Sequence, residues 1–471
     1  MECDPDDTHA HNIVPPAERR GPITMALLWI TMVTIFPCVL VGFEWHKQGF
    51  TLGQVLSCTM LSCLILLLYT VPTAQLAART GKSYALLNRD VFGKVGATLL
   101  NANLLWIFVA FYGLSAMLMA EGMISIFHLP VALPLASGVL ALLMAFNNFF
   151  GFRGIANFAR YIAAPALILW VGYTFLKTVP TCPMSAIVAA PQQSFLCALT
   201  AISTFVIGVA VWGNEADYWR YGQPKKRYAT CALACALAVG QVIFPATGWM
   251  VAHMTGITEY GAATDFMNTF SFAGLPALGG LVLFASYFAC NDSNMFGSAS
   301  ALENLTALSH RQAVIVLTFF GIIAAVCLSY CGSAKAVEAI ASVNCVLLPP
   351  PTVIVLTEWF ITSCVLKGEK FGESKLSRWP AYTALALAVA VGLLTSGLPG
   401  LERLHAGIPA LQCWLLAAFT YFGLRLLQYS QVASASRSAA PLSVSLFSAA
   451  PELLTGKQIQ RIVASARGER D

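Results

Sequence analysis

Charged residues are scarce in this sequence: only 10% of its 471 residues are Asp, Glu, Lys or Arg, whereas soluble domains carry about 25%. Hydrophobic residues make up 58%, and the mean hydropathy is +0.71. A soluble protein of this length needs far more polar surface to cover its core. The composition therefore excludes a soluble enzyme or a nucleic-acid-binding protein as the main body of the chain.

Several chemical motifs are also missing from the sequence. The 14 cysteines include no Cys-x-x-Cys pair and no Cys/His set at zinc spacing. The sequence contains neither a Gly-rich phosphate loop nor a zinc-protease motif. We therefore expect no metal or organic cofactor, and we interpret the cysteines as small apolar core residues.

Long apolar stretches dominate the chain instead. About 20 consecutive apolar residues cross a bilayer as a helix, because lipid cannot satisfy exposed backbone polar groups. The sequence predicts an all-α membrane protein with twelve such stretches, which we number spans one to twelve: 24–45, 52–77, 97–120, 129–149, 158–177, 195–214, 229–254, 273–292, 313–333, 337–358, 380–398 and 406–429.

The loop charges predict the orientation of these spans. Cytoplasmic loops carry an excess of Lys and Arg. With the N-terminus inside, four of the 27 Lys and Arg residues fall in outer segments: Lys47, Lys177, Lys335 and Arg403. We expect a plasma (inner) membrane protein whose cytoplasmic tails are 1–21, expected to be disordered, and 430–471, whose basic end is compatible with a surface helix.

Two spans carry residues that interrupt a helix. Span one has Pro37 followed by Cys38 at its middle, and a mid-helix proline frees a backbone carbonyl one turn earlier. Span six contains Gly208 and Gly213 in its predicted inner half. Each feature alone is compatible with a simple kink or with close helix packing. Interruptions five helices apart are nevertheless the pattern that an inverted repeat of five plus five helices produces.

Span eight ends in an uninterrupted polar run, Asn291, Asp292, Ser293 and Asn294. An ionised Asp at the bilayer centre costs about 2.5–3.5 kcal/mol on insertion scales, so that intramembrane acids are usually functional. The alternative is that Asp292 lies at the membrane interface and caps the next helix. The run is a candidate for substrate binding, and Asp292 is a candidate for cation or proton coupling.

Aromatic and amide side chains also occur inside other spans. Phe108 and Phe111 of span three are i,i+3 neighbours on one helix face, with Tyr112 beside them. This stripe is compatible with core packing, but a flat ring would stack on it with about 1–3 kcal/mol per base. Gln241 and Asn344 are lone polar residues, which we interpret as hydrogen-bonding contacts between helices.

Four motifs together resemble the nucleobase–cation symporter-1 family, and within it the bacterial cytosine permeases. TGKSYALLNRDVFGKVG, which begins at Thr80, is similar to the family's TG…R..FG..G stretch. ADYWRYGQPK after span six is similar to its AD[FY].R[FY]G signature, and NDSNMFGSASALENLT to its N-D-N…S…N-[IL]-T run. Pro349, Pro350, Glu358 and Trp359 match its PP…[DE][YW] ending. The similarity covers residues 20–362 in order.

This resemblance implies the LeuT-type fold, in which two inverted five-helix repeats hold a nucleobase at mid-membrane. The first repeat corresponds to residues 22–179 and the second to 195–362, and spans eleven and twelve, over 380–429, lie outside both repeats. The implied partners are a small heterocyclic substrate and the lipid bilayer. Nucleic acid is not expected, and the only cofactor implied is a coupling cation, H⁺ or Na⁺.

The resemblance also implies roles for individual residues. Phe111 falls where the family has its stacking aromatic, and Phe108 where cytosine permeases carry a Gln that hydrogen-bonds the base. Gly208 falls where span six usually offers a second aromatic, which Trp212 one turn along replaces. The other substrate-binding candidates are Asn214, Asn291, Ser293 and Asn294, and the helix-break candidates are Pro37, Cys38 and Gly213.

The implied sodium site departs from the family pattern. Sodium-coupled members use backbone carbonyls at the span-one break and a pair of hydroxyls early in span eight. Here the positions of that pair are Ala289 and Cys290, with Ser286 one turn back. Neither Ala nor neutral Cys is a good ligand for Na⁺. Proton coupling through Asp292 is therefore an open alternative to sodium coupling.

The sequence thus predicts a secondary transporter for a nucleobase, cytosine first, that works by alternating access with cation symport. Three alternatives stay open. The first is a carrier of the same family for hydroxymethylpyrimidine, a purine, hydantoin or allantoin. The second is an amino-acid carrier of the same fold. The third is a non-transporting receptor or a membrane-embedded enzyme, and an enzyme should show a buried acid–base pair or a metal cluster.

Overall fold

The computed structural model of the chain describes residues 11–34, 36–182, 185, 191–257, 259–272, 275–365, 371–372, 376–398 and 400–439. The described residues form helices joined by turns. In chain order the α-helices are Pro22–Val33, Phe36–Lys47, Leu52–Thr80, Tyr84–Phe127, Leu133–Met144, Gly151–Phe158, Ala164–Thr178, Phe195–Ala210, Glu215–Trp219, Lys226–Leu237, Phe244–Thr255, Tyr260–Phe272, Pro276–Leu305, His310–Leu328, Ser333–Leu347, Pro349–Phe360, Trp379–Thr395 and Pro409–Ala439.

Local capping residues explain where several of these helices begin and end. The span-two and span-nine helices each start with a capping box, formed by Thr51 with Gln54 and by Ser309 with Gln312. Span two ends at Gly81, whose φ of +68° is the left-handed conformation that glycine adopts without strain. The chain thus places polar caps at the ends of apolar helices.

The predicted count of twelve spans is not confirmed. Among the described residues, seven helices are long and apolar enough to cross a membrane, and counting two bent helix pairs as one span each raises this number to nine. One of the seven, Leu133–Thr178, contains both span four and span five, which Gly151 separates with a φ of +58°. The helices of spans six and eleven, Phe195–Ala210 and Trp379–Thr395, are apolar but short.

Span eight belongs to the second of these bent helix pairs, and its limits differ from the predicted ones. The helix Tyr260–Phe272 precedes it, and the two meet at an angle of 117°. Span eight itself runs over Pro276–Leu305, well beyond its predicted end at 292. The polar run at 291–294 therefore lies inside the helix and not at its end.

The N-terminal segment packs against the end of the bundle that the loop charges predict to be cytoplasmic. Val14 is fully buried, and its backbone N–H donates to the Gly81 carbonyl at 3.1 Å. The Arg20 N–H donates to the Tyr221 carbonyl at 2.6 Å. The expectation of a disordered tail is therefore wrong for Val14 to Arg20, while residues 1–10 lie outside the described residues.

The C-terminal tail is described only in part. The last helix, Pro409–Ala439, extends into the predicted tail. Residues 440–471, including the basic stretch that is compatible with a surface helix, lie outside the described residues.

A buried ion pair joins span ten to span twelve. The Glu358 carboxylate accepts from Arg425 Nη2 at 2.7 Å and from Arg425 Nε at 3.2 Å, and Tyr421 donates to it at 2.9 Å. Both residues are 5% exposed or less. The acidic residue of the PP…[DE][YW] ending thus anchors the last helix to span ten.

This pair gives a stability prediction. Arg425→Met should lower the free energy of unfolding by about 3–5 kcal/mol, because it leaves a buried carboxylate unpaired. The double variant Glu358→Gln/Arg425→Met should recover most of that loss. Thermal unfolding of the purified variants measures both effects, and a double variant that is less stable than either single variant would contradict the explanation.

Candidate functional site

An aromatic and amide cluster forms where spans three, six and eight meet. The rings of Phe108 and Trp212 lie 5.6 Å apart at 74°, and those of Trp212 and Tyr218 lie 6.1 Å apart at 77°. A methyl group added to Gly297 would lie 2.9 Å from Asn214 Nδ2 and 3.4 Å from Phe108 Cδ1. We call Phe108, Trp212, Asn214, Tyr218 and Gly297 the central cluster, and all five are buried.

Span one is also broken, and the ring of Trp29, one turn before the break, lies 6.2 Å from that of Tyr218 in the central cluster. Its helix ends at Val33 and resumes at Phe36, with a bend of 44°. Pro37 is the second residue of the new helix, where its missing N–H costs no hydrogen bond. Gln241 Nε2 donates to the freed Val33 carbonyl at 2.5 Å, and Ser286 Oγ accepts from the Phe36 N–H at 3.0 Å.

Span six is broken in a similar way. Its helix ends at Ala210 and resumes at Glu215. Asn344 Nδ2 donates to the carbonyls of Gly208 and Val211 at 2.7 and 2.8 Å. Each break therefore has its freed carbonyls satisfied by a carboxamide from another helix, which is the contact expected of Gln241 and Asn344 from their isolation in apolar spans.

Two glycines of span six are required by their surroundings. Gly213 has a φ of +75°, and a Cβ atom there would lie 2.4 Å from the Leu348 carbonyl oxygen. A Cβ atom on Gly208 would lie 2.6 Å from the Ala341 carbonyl oxygen. No aromatic side chain fits at Gly208, and the Trp212 ring contacts Phe108 instead.

The exit of span six holds two buried acids whose roles the sequence analysis missed. Glu215 accepts from the Trp212 N–H and from the Tyr69 hydroxyl, both at 3.0 Å. Asp217 accepts from the Tyr84 N–H at 2.8 Å and from Asn214 Nδ2 at 3.1 Å. Acidic residues are rare in so apolar a chain, and the presence of Glu215 and Asp217 beside a predicted membrane span was the sequence signal for a buried role.

The predicted polar run of span eight separates into different environments. Asn291 Nδ2 donates to the Tyr112 carbonyl at 3.2 Å, and Asn294 Nδ2 donates to Asn291 Oδ1 at 3.2 Å. The Ser293 carbonyl accepts from the Tyr218 hydroxyl at 2.6 Å, which ties the run to the central cluster. The Ser293 hydroxyl turns back to its own helix, towards the Ala289 carbonyl.

Asp292 faces a different part of the molecule. Its two oxygens accept from Asn147 Nδ2 at 2.6 Å and from Asn148 Nδ2 at 3.1 Å, in the turn between spans four and five. The residue is fully buried inside a helix. The alternative that it caps the next helix is therefore wrong, since Ser309 caps that helix.

The two aromatics of span three occupy different surroundings. Phe108 is 1% exposed and contacts Trp212 within the central cluster. Phe111 is partly buried and packs against both large hydrophobic clusters. The structure thus brings Phe108 into contact with the span-six aromatic.

A cavity of about 820 Å³ opens towards the predicted outer end of the bundle. It reaches Pro37 and Phe205, and Ala341, whose carbonyl lies against Gly208. The outer halves of spans one and six line its walls. The cavity therefore extends from the predicted outer face to Pro37 at the span-one break, and the described residues that line it do not include those of the central cluster.

Comparison with known proteins supports the predicted resemblance. No family model matches the chain. The cytosine permease of Escherichia coli strain K12 is 24% identical over 417 residues, which cover 85% of this chain and 92% of that protein. The cytosine permease of strain O157:H7 matches with the same identity and coverage.

Solved structures share the fold. Mhp1, a nucleobase-cation-symport-1 family transporter in a closed conformation with bromovinylhydantoin bound, superposes with a TM-score of 0.68 and 18% identity over 89% of this chain and 96% of its own. A Na⁺-coupled sialic acid symporter in a substrate-bound outward-open state superposes with a TM-score of 0.61 and 11% identity over 87% of this chain and 90% of its own. The predicted resemblance is therefore confirmed: the chain is a membrane-transporter homologue of the cytosine permeases, with the fold of a nucleobase-cation-symport-1 transporter.

Proposed function

We propose that the chain imports a nucleobase or a closely related heterocycle, cytosine first, by alternating access coupled to a cation. The single observation that carries this proposal is the central cluster, in which the Phe108 ring, in contact with Trp212, and the buried Asn214 amide meet at Gly297 beside the break in span six. Substrate sites in carriers of this architecture lie at such breaks. Similarity to cytosine permeases along most of the chain supports the same substrate class.

The chemistry of the cluster suits a flat, neutral ring with polar edges. Phe108 offers an aromatic face, which contributes about 1–3 kcal/mol per stacked base. Asn214 is fully buried, and its Oδ1 has no hydrogen-bond partner among the described residues. Such an oxygen accepts from a ring N–H or an exocyclic amine, and pockets of this kind reject analogues that lack the matching group.

The oxygen atoms around the span-one break favour a proton over sodium as the coupling cation. The Val33 carbonyl already accepts from Gln241, and the Ser286 hydroxyl already accepts from the Phe36 N–H. Ala289 and Cys290 supply no hard oxygen ligand. Because each of these oxygens already accepts one hydrogen bond, it has a single lone pair left for a cation, whereas proton transfer needs no coordination shell.

One alternative substrate has specific support. Mhp1 binds bromovinylhydantoin and shares the fold, so hydantoins are the second candidate. An amino-acid substrate is disfavoured, because the Phe36 N–H at the start of the second half-helix donates to Ser286 and not to the cavity. The relatives are transporters, and this excludes the enzyme alternative.

The repeat architecture and the orientation belong to the same proposal. We assign the inverted repeats to residues 22–179 and 195–362, twelve spans in all, with both termini on the cytoplasmic side of the plasma membrane. The paired breaks in spans one and six, each held by a carboxamide from a neighbouring helix, support this division. The distribution of Lys and Arg in the loops supports the orientation.

Uptake of labelled cytosine by cells that express the chain tests the substrate. We expect accumulation above that of control cells, with competition by unlabelled cytosine. Uracil, adenine, hydroxymethylpyrimidine, allantoin and bromovinylhydantoin serve as the other competitors. Accumulation of a different heterocycle without cytosine would keep the carrier and change its substrate, while no accumulation of any of them would contradict the proposal.

Replacement of external sodium by choline tests the coupling ion. We expect cytosine uptake to change by less than about twofold, and to fall when a protonophore collapses the pH gradient, because the span-one break supplies no sodium shell. Strict dependence on external sodium would contradict proton coupling.

A further inference from the structure

Three titratable side chains lie in one buried group between span eight, span nine and the turn that joins spans four and five. They are Asp292, Glu303 and His310, which are 0%, 5% and 2% exposed. Asn148, from that turn, connects them: its side chain donates to Asp292 at 3.1 Å, and its backbone carbonyl lies 2.9 Å from His310 Nε2. The substrate contacts proposed above use none of these side chains.

The hydrogen-bond partners fix the protons on His310. A backbone carbonyl only accepts, so His310 Nε2 must carry a proton. The other ring nitrogen, Nδ1, lies 2.5 Å from Glu303 Oε1, with one proton between them. The pair therefore holds two protons and is neutral overall, which makes it a stable support for the Asn148 main chain.

Asp292 is different, because amides alone contact both of its oxygens. Asn147 and Asn148 each donate an N–H to it, and this arrangement suits the carboxylate form. Among the described ion pairs, none provides a cation for Asp292. The Asn148 Oδ1 atom is buried and has no hydrogen-bond partner among the described residues. A half-turn of the Asn148 amide would place that oxygen where it accepts from a protonated Asp292, so that both protonation states are hydrogen-bonded.

We propose that Asp292 and Asn148 form a proton-binding site outside the substrate cluster, and that His310 and Glu303 are positioning residues that hold the Asn148 backbone while its amide turns. The inference rests on the proposed function, since it supplies the binding site for the coupling proton. The site takes up one proton onto an Asp292 oxygen and returns the same proton, so no other reactant is needed. It connects span eight to the turn between spans four and five, and the direction of the hydrogen bond between Asn148 and Asp292 depends on the proton.

Other groups face this site from the elements packed against it. Tyr112 of span three and Cys290 of span eight lie within electrostatic reach of Asp292. Asp217 and Tyr221, after span six, lie within reach of Glu303. The latter two belong to the predicted inner end of the bundle, so the group extends from the middle of span eight towards the cytoplasm.

Infrared difference spectroscopy of the purified full-length protein, titrated with acid, tests the proton site without requiring transport. We expect a carboxylic-acid band that appears on acidification in the wild type, is absent from Asp292→Asn, and remains in Glu259→Gln, which removes an exposed carboxyl group. Asp292→Glu keeps a carboxyl group and should keep a band at a displaced frequency. His310→Gln should move the midpoint of the titration by about one pH unit, because it releases Asn148.

The outcomes separate this inference from the proposed function. An acid band that is unchanged in Asp292→Asn, or no acid band while the wild type stays folded, would overturn the proton site. An unmoved midpoint in His310→Gln would overturn the positioning role. In liposomes that take up labelled cytosine, Asp292→Asn should lose accumulation driven by a pH gradient but keep cytosine exchange. Absence of cytosine uptake in the wild type counts against the proposed function, and the spectra still decide on the proton site.

Discussion

Alanine at position 108 is expected to weaken substrate binding by roughly 5- to 150-fold, which corresponds to the 1–3 kcal/mol that a stacked aromatic contributes per base. Phe108 is the span-three ring that contacts Trp212, and Gly297 packs closely beside it, since a Cβ atom there would lie 3.4 Å from Phe108 Cδ1. Binding of labelled cytosine to purified protein measures the effect directly. Uptake kinetics should show the same loss as a raised KM.

Phe111→Ala is the matched comparison for that variant. Phe111 is an aromatic residue on the same helix, but it is only partly buried and packs against the hydrophobic clusters. We expect it to change affinity less than Phe108→Ala does. Equal affinities of Phe108→Ala and the wild type would show that the ring is core packing, and a larger effect at Phe111 would move the stacking surface to that residue.

Asn344→Leu is expected to abolish uptake and to destabilise the protein by about 2–6 kcal/mol. The substitution removes the donor for two buried carbonyls, those of Gly208 and Val211, and each unsatisfied group costs about 1–3 kcal/mol. The span-six break would then lose the contact that holds its unwound segment in place. Thermal unfolding in detergent and uptake by intact cells measure the two effects.

Asn101→Leu provides the control for this substitution. Asn101 is also a buried amide, but it donates to Ala97, one turn back in its own helix. The Ala97 carbonyl also accepts from the helix backbone. Loss of the Asn101 amide should therefore lower the free energy of unfolding by less than Asn344→Leu does. Similar losses of stability in the two variants would mean that burial of a leucine, and not the break, causes the damage.

Much of the helical framework could be predicted from the sequence. Apolar stretches marked the membrane helices, and Pro37 and Gly213 marked the two breaks, because proline and glycine act on the local backbone. Trp212 could also be placed beside the span-three aromatics, since it lies one turn from Gly208. These inferences needed only spacing along the chain and a motif resemblance.

The side-chain directions could not be predicted in the same way. Which of Phe108 and Phe111 contacts Trp212 depends on the rotation of span three about its own axis. Asp292 sits among candidate substrate ligands in the sequence, yet it points to Asn148, 144 positions away. The true end of span eight was also missed, because polar residues satisfied by neighbouring helices look like the end of a helix in a hydropathy pattern.

The hydrogen bond between Asp217 and Tyr84 has a consequence for how this sequence can change over time. It joins two motifs that stand 133 positions apart, since the acid of ADYWRYG caps the start of the helix that follows TGKS. Loss of the Asp217 carboxylate would leave the Tyr84 N–H without this acceptor, so the two motifs depend on each other at this contact. Relatives should therefore retain both motifs or lose both together, and second-site suppressors of an Asp217 variant should arise in the residues around Tyr84.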